Sequence, residues 1–113
     1  MNPYKYFEIA AKFATLKEDI RTHRLGAVAV RSDGVLVGAY NAPAPDKTPL
    51  VHAEARLARK LDKGAVVFVS RVAKSGIRLA RPCASCQAIL KAAEVERVYY
   101  TISEKEYGVI DLV

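Results

Sequence analysis

Cysteine and histidine are scarce in this sequence, at two residues each, and no apolar run approaches the roughly 20 residues that a membrane helix needs. Each shortage removes a class of protein. The two cysteines stand three apart in Cys83-Ala84-Ser85-Cys86, which excludes the disulfide framework of a small secreted domain and suits one metal or one redox pair. A reducing, intracellular setting is therefore expected. Residues 1–13 mix Lys5, Glu8 and Lys12 into their apolar positions, so no leader or anchor is expected there. Repeats and low-complexity stretches are absent, and the Pro-rich piece 42–45 is too short to separate domains, so residues 1–113 are expected to form one domain. With 51% hydrophobic and 27% charged residues, that domain has the composition of a soluble globular protein.

Acidic residues are also nearly missing from one block. Of the net charge of +6, the stretch 1–55 contributes +1 and 82–113 contributes −2, whereas 56–81 carries eight basic residues against Asp62 alone. If that block folds onto one face it attracts phosphates; otherwise it is a solvated surface that aids solubility.

The periodicity of what remains predicts a helix over residues 4–23, with Tyr6, Ile9, Ala10 and Phe13 on one face. Residues 27–30 and 35–40 form a predicted hairpin around Ser32-Asp33-Gly34. A helix over 51–61, closed by Gly64, a buried strand over 65–69, a helix over 83–93 with Pro82 at its first turn, and a strand over 97–101 follow. Only residues 102–108 separate this strand from a last apolar run, 109–113. That gap is too short for a crossover, so the final pair is expected to be antiparallel. The order predicts a mixed five-stranded sheet with helices on both faces, a three-layer α/β fold.

Two short motifs carry the chemistry. His52-Ala53-Glu54 and Pro82-Cys83-Ala84-Ser85-Cys86 each open a predicted helix and together read H-x-E then P-C-x-x-C. One imidazole and two thiolates give zinc three protein ligands and leave its fourth position for water, the arrangement of a catalytic site. A closed structural site would have to recruit His23 or a carboxylate. Cysteines in the first turn of a helix meet free amide groups and a dipole that favour thiolates, the form that binds metal. Glu54, two residues from His52, can stand beside the metal without binding it and move protons.

With these motifs the chain resembles the cytidine and deoxycytidylate deaminase superfamily, from the hairpin at Gly26 to the strand ending at Thr101. The resemblance implies a zinc-dependent hydrolytic deaminase, with His52, Cys83 and Cys86 as metal ligands and Glu54 as the catalytic acid and base. Having His52 where free-nucleoside deaminases carry cysteine, it looks more like the deoxycytidylate, tRNA-adenosine, polynucleotide cytosine and short phage-type deaminases. Asn41 would then contact the sugar, and the backbone near Ala53 the polar edge of the base. Tyr99, Tyr100 and the loop from Thr101 to Tyr107 match the region that contacts flanking nucleotides in polynucleotide deaminases; Arg81 is a further candidate substrate contact. The chain departs from the deoxycytidylate and tRNA-adenosine pattern in lacking the helix that precedes a parallel last strand. With the basic block between the two motifs, the expected substrate is cytosine in single-stranded DNA; the alternatives are free deoxycytidylate or a related nucleotide, for which a homo-oligomer could complete the pocket, and adenosine in nucleic acid.

Plainer readings stand beside these. Cys83 and Cys86 as a redox pair would leave His52 and Glu54 without a role, and a zinc module that binds nucleic acid without catalysis would not need Glu54. His23, which has no such company, reads as a surface or helix-end residue. Asn41 also suits a turn before the Pro-rich loop. Of Tyr99 and Tyr100, alternation sends one into the core, and Tyr107 suits hairpin packing as well as base stacking.

Overall fold

The computed structural model describes residues 2–14, 23–40, 53–73 and 75–112. The first helix, α1, spans Pro3–Ala14. Asn2 caps it by accepting the Tyr4 amide at 3.1 Å, with proline at the first helical position, where its missing N–H costs nothing. The helix was expected to run to residue 23, but His23 instead opens strand β1, His23–Val30, because a ladder pairs it with Ala73. Strand β2, Leu36–Tyr40, returns antiparallel to β1 around Gly34, which holds φ at 87°, a conformation glycine adopts without strain.

The second helix, α2, is Ala53–Ala58; residues 51 and 52 of the expected helix lie outside the described residues. Strand β3, Val66–Ala73, runs four residues past the expected end and turns into a three-residue strand, β4 (Gly76–Arg78). Helix α3 is Ala84–Ala92, capped by Cys83, so Pro82 precedes the cap rather than entering the first turn. Strands β5, Arg97–Thr101, and β6, Tyr107–Asp111, pair antiparallel as expected, although β6 begins two residues earlier than its apolar run.

The sheet is mixed, in the order β2-β1-β3-β5-β6, with β3 and β5 parallel and β4 on the extended end of β3. Among the described residues six strands thus replace the expected five. Ser70 and Arg71 interrupt the apolar run of β3 while its alternation continues beneath them, which hides the extension of β3 that β4 pairs with. At the end of β5, the Thr101 hydroxyl donates to the Arg78 carbonyl at 2.8 Å, and the Ala80 amide donates to the Thr101 carbonyl at 2.8 Å. These bonds turn the chain toward α3.

Alternation along the strands divides the core into two layers. On one face Phe7 and Ala10 of α1 pack on Val28 and Phe68, with Phe68 stacked between Tyr6 at 4.6 Å and Tyr99 at 5.0 Å. The helix comes so close that a Cβ on Gly26 would lie 2.7 Å from the Ala14 amide nitrogen. On the other face Ala53 and Leu57 of α2 and Leu90 of α3 cover Ala29, Val67, Val69 and Val98. Each such large side chain removed from water contributes roughly 1.5–3 kcal/mol. The three-layer α/β expectation holds, and α2 and α3 meet at their N-terminal ends on this second face.

Candidate active site

In α2 the apolar positions set the direction of the acid. Leu57 is drawn fully into the core, and Glu54, three residues before it, is carried with it to 2% exposure. Ala53 is fully buried beside it. At the other helix, Cys83 holds an extended backbone, φ −66° and ψ 165°, and its side chain makes no capping bond. Its carbonyl accepts the Gln87 amide at 2.9 Å, while the Gln87 side chain donates to the Pro82 carbonyl at 2.8 Å. The helix start is thus held by Gln87 and leaves the Cys83 thiol to the site.

Cys86, one turn on, is fully buried. Burial pushes its thiol well above the ordinary value, and the adjacent Glu54 carboxylate and Cys83 push it further. Two thiols and a carboxylate therefore converge, and each would gain from a divalent cation among them. Cys83 is exposed where Cys86 is buried.

Glu54 and Cys83 open onto a cavity of about 150 Å³. Leu25 of β1 and Arg71 of β3 wall one side, and Leu79, Ala80 and Arg81 the other. Leu25 and Arg71 are partners in the β1–β3 ladder, which is why their side chains share this face. Arg81 donates through Nη1 to the Tyr100 hydroxyl at 3.0 Å and lies 5.6 Å from the centre of that ring.

Of the residues named from the sequence, Glu54, Ala53, Cys83, Cys86 and Arg81 come together; His52 and Asn41 lie outside the described residues. Two expectations change. Tyr100 is 8% exposed in the core and props Arg81 from behind, so it is not placed to meet flanking nucleotides. Tyr107 pairs with Thr101 and packs with Tyr4, Phe7 and Tyr99 on the α1 face, the far side of the sheet from Glu54. Part of the basic block is engaged by the sheet and part lines the cavity. Arg56 lies 4.9 Å over the Tyr40 ring and Lys60 donates to the Gly38 carbonyl at 2.7 Å, while Arg71 and Arg81 enter the cavity. Arg71, Leu25 and Leu79 were not singled out from the sequence. The period-two pattern Val67, Val69, Arg71 was the available signal for the first of them.

The family model described as the cytidine and deoxycytidylate deaminase zinc-binding region matches residues 2–102. The chain belongs to this family. That match takes in Glu54, Cys83 and Cys86, and the two sulfurs beside a buried carboxylate fit the metal that the family's description names. No curated protein matches the sequence. Among solved structures the chain is similar to a cytidine deaminase from Burkholderia pseudomallei, with a TM-score of 0.75 at 19% identity, covering 99% of this chain and 94% of that one. It is also similar to a cytidine deaminase from Mycobacterium leprae, with a TM-score of 0.67 at 18% identity and the same coverages, 99% and 94%. Family and fold support a zinc-dependent deaminase.

Proposed function

We propose that the protein deaminates the cytosine base of a free nucleotide, such as deoxycytidylate or cytidylate, to the corresponding uracil nucleotide. The observation that carries this reading is the placement of Arg71 and Arg81 in the walls of the same cavity as Glu54 and Cys83. Two guanidinium groups beside a proton-transferring carboxylate suit a substrate with a phosphate at one end and an amidine-like ring at the other. Cytosine in single-stranded DNA, the other reading of the sequence, calls for a continuous basic track and aromatic platforms. Support for it is weakened by the turned-away Tyr107 and the buried Tyr100.

In this reading His52, Cys83 and Cys86 hold zinc, which when bound supplies a Lewis acid that lowers the pKa of water toward neutrality. Glu54 accepts a proton from the attacking water and delivers it to the ring nitrogen. Glu54 then takes the remaining proton from the hydroxyl group added to the ring carbon and passes it to the exocyclic amine, which leaves as ammonia while that hydroxyl becomes the uracil carbonyl. The near-complete burial of Glu54 keeps bulk water from competing for these protons. Arg71 and Arg81 hold the phosphate, and Leu25 and Leu79 offer apolar surface to the sugar and base.

The zinc-loaded protein should be assayed on deoxycytidylate, cytidylate, deoxycytidine, cytidine, a single-stranded DNA with one cytosine, and adenosine. Nucleotides should exceed their nucleosides in kcat/KM by about ten-fold or more, with Arg81→Ala erasing most of that gap. Turnover of the DNA without turnover of nucleotides, or equal rates for nucleosides and nucleotides, overturns the substrate assignment.

A further inference from the structure

A larger cavity, about 450 Å³, lies between α1 and the sheet face opposite Glu54. That volume falls within the range of about 300–1,000 Å³ typical of sites that hold small molecules. One wall is aromatic: the Tyr4 and Phe7 rings meet edge to face at 6.2 Å, and the Tyr4 hydroxyl donates to the Lys105 carbonyl at 2.8 Å, which fixes the wall at its outer end. Ser70 lies in the lining at 0% exposure, and its hydroxyl has no hydrogen-bond partner among the described residues. Buried hydroxyls are nearly always paired, so an unmet one facing a cavity marks a place for a ligand group.

The charge of this cavity is the reverse of the catalytic one. Glu8 and Glu104 contribute two carboxylates against the single amine of Lys5, whose Nζ lies 5.9 Å from the Tyr6 ring. In a chain with a net charge of +6, an acidic cavity selects against phosphates and for groups that donate hydrogen bonds or carry positive charge.

We propose that this cavity is a second binding site, separate from the catalytic one, for a small planar nitrogen heterocycle bearing amino or amidinium groups and no phosphate, a free nucleobase being of this class. Its ring lies against Tyr4 and Phe7, its donors face Glu8 and Glu104, and a ring nitrogen or carbonyl accepts the Ser70 hydroxyl. The site is independent of which substrate Glu54 acts on.

Isotope-labelled, zinc-loaded protein titrated with adenine and with benzamidine tests this directly, with benzoate as an anionic probe of similar size. Adenine and benzamidine should shift the amide signals of Phe7, Ser70 and Glu104 saturably, and benzoate should not. Glu104→Lys, an exposed change, should weaken benzamidine about ten-fold. Ala11→Phe, which fills the cavity from α1, should remove both ligands while zinc content and deamination stay as they were. The proposal is overturned if these signals do not respond, if benzoate binds as well as benzamidine, or if Glu104→Lys leaves the titration unchanged.

Discussion

Arg81 rests on Tyr100: its Nη1 donates to the hydroxyl at 3.0 Å, and its guanidinium carbon stands 5.6 Å from the centre of the ring. The tyrosine comes from the middle of the sheet and the arginine from the segment entering α3, so this pair fixes a cavity wall to the core. Tyr100→Phe keeps the ring and its packing and removes one hydrogen bond to a charged group, worth about 1.5–3 kcal/mol when such a bond is well formed. If Arg81 holds a substrate phosphate, KM for deoxycytidylate should rise about ten-fold or more while kcat holds and deoxycytidine is unaffected. A fall in kcat with constant KM would place Tyr100 in the chemistry instead.

Glu54→Gln keeps the volume of the side chain and removes its capacity to take a proton. Turnover should fall by about 10²–10⁴. Bound zinc, measured on the purified protein, should stay near one per chain, because the ligands named are His52, Cys83 and Cys86. Retained turnover would show that a group other than Glu54 moves the protons.

Stripping the metal should abolish deamination and expose the cysteines unequally. Cys83 is exposed and Cys86 fully buried, so iodoacetamide should alkylate Cys83 first, and restored zinc should protect both. Peptide mass spectrometry reads the order. Equal rates at the two positions would mean that the N-terminal end of α3 opens when zinc leaves.

Acid stability should depend on a link between the first hairpin and the segment after α2. Ser32 donates to Asp62 through its amide at 3.0 Å and through its hydroxyl. The hydroxyl bond is the main reason that the Asp62 carboxyl lies below its ordinary value of 3.8, aided by the amide and by Arg31. Because the folded value is the lower one, this stabilisation is full above the ordinary value and is lost as pH falls through the folded value. Ser32→Ala should therefore lower the thermal midpoint near neutrality and show a shallower loss between pH 5 and about 2. Parallel pH profiles for variant and parent would contradict the assignment.

Two glycines separate crowding from backbone conformation. A Cβ at Gly26 would run into the Ala10 carbonyl oxygen and lie 2.7 Å from the Ala14 amide nitrogen, both backbone atoms, so α1 would have to shift. Gly34 has nothing within 4 Å but holds φ at 87°. Gly26→Ala should cost about 3 kcal/mol or more and loosen α1, whereas Gly34→Ala should cost roughly 1–2 kcal/mol from strain alone. Urea midpoints should rank the two in that order.

Element positions were readable where the signal is local. Strand β5 spans the expected 97–101, and α3 starts within the P-C-x-x-C motif because its cap and first turn are set within a few residues. The end of α1 and the length of β3 were not readable in this way. His23 joins a strand because Ala73 is its partner 50 positions away, and Ser70 with Arg71 conceals a strand whose alternation serves two different cavities.

By itself the sequence determined the two motifs that carry the family resemblance, the layer architecture and the antiparallel last strand. All of these follow from residue types and spacings within short windows, or from a linker too short to cross over. Only the tertiary structure decided that Arg71 and Arg81 share the cavity of Glu54, that Tyr100 stands behind Arg81, and that Tyr107 and Ser70 belong to the opposite face. A strand side chain takes one of two faces according to the register of ladders with distant segments, and one residue of slip would exchange them.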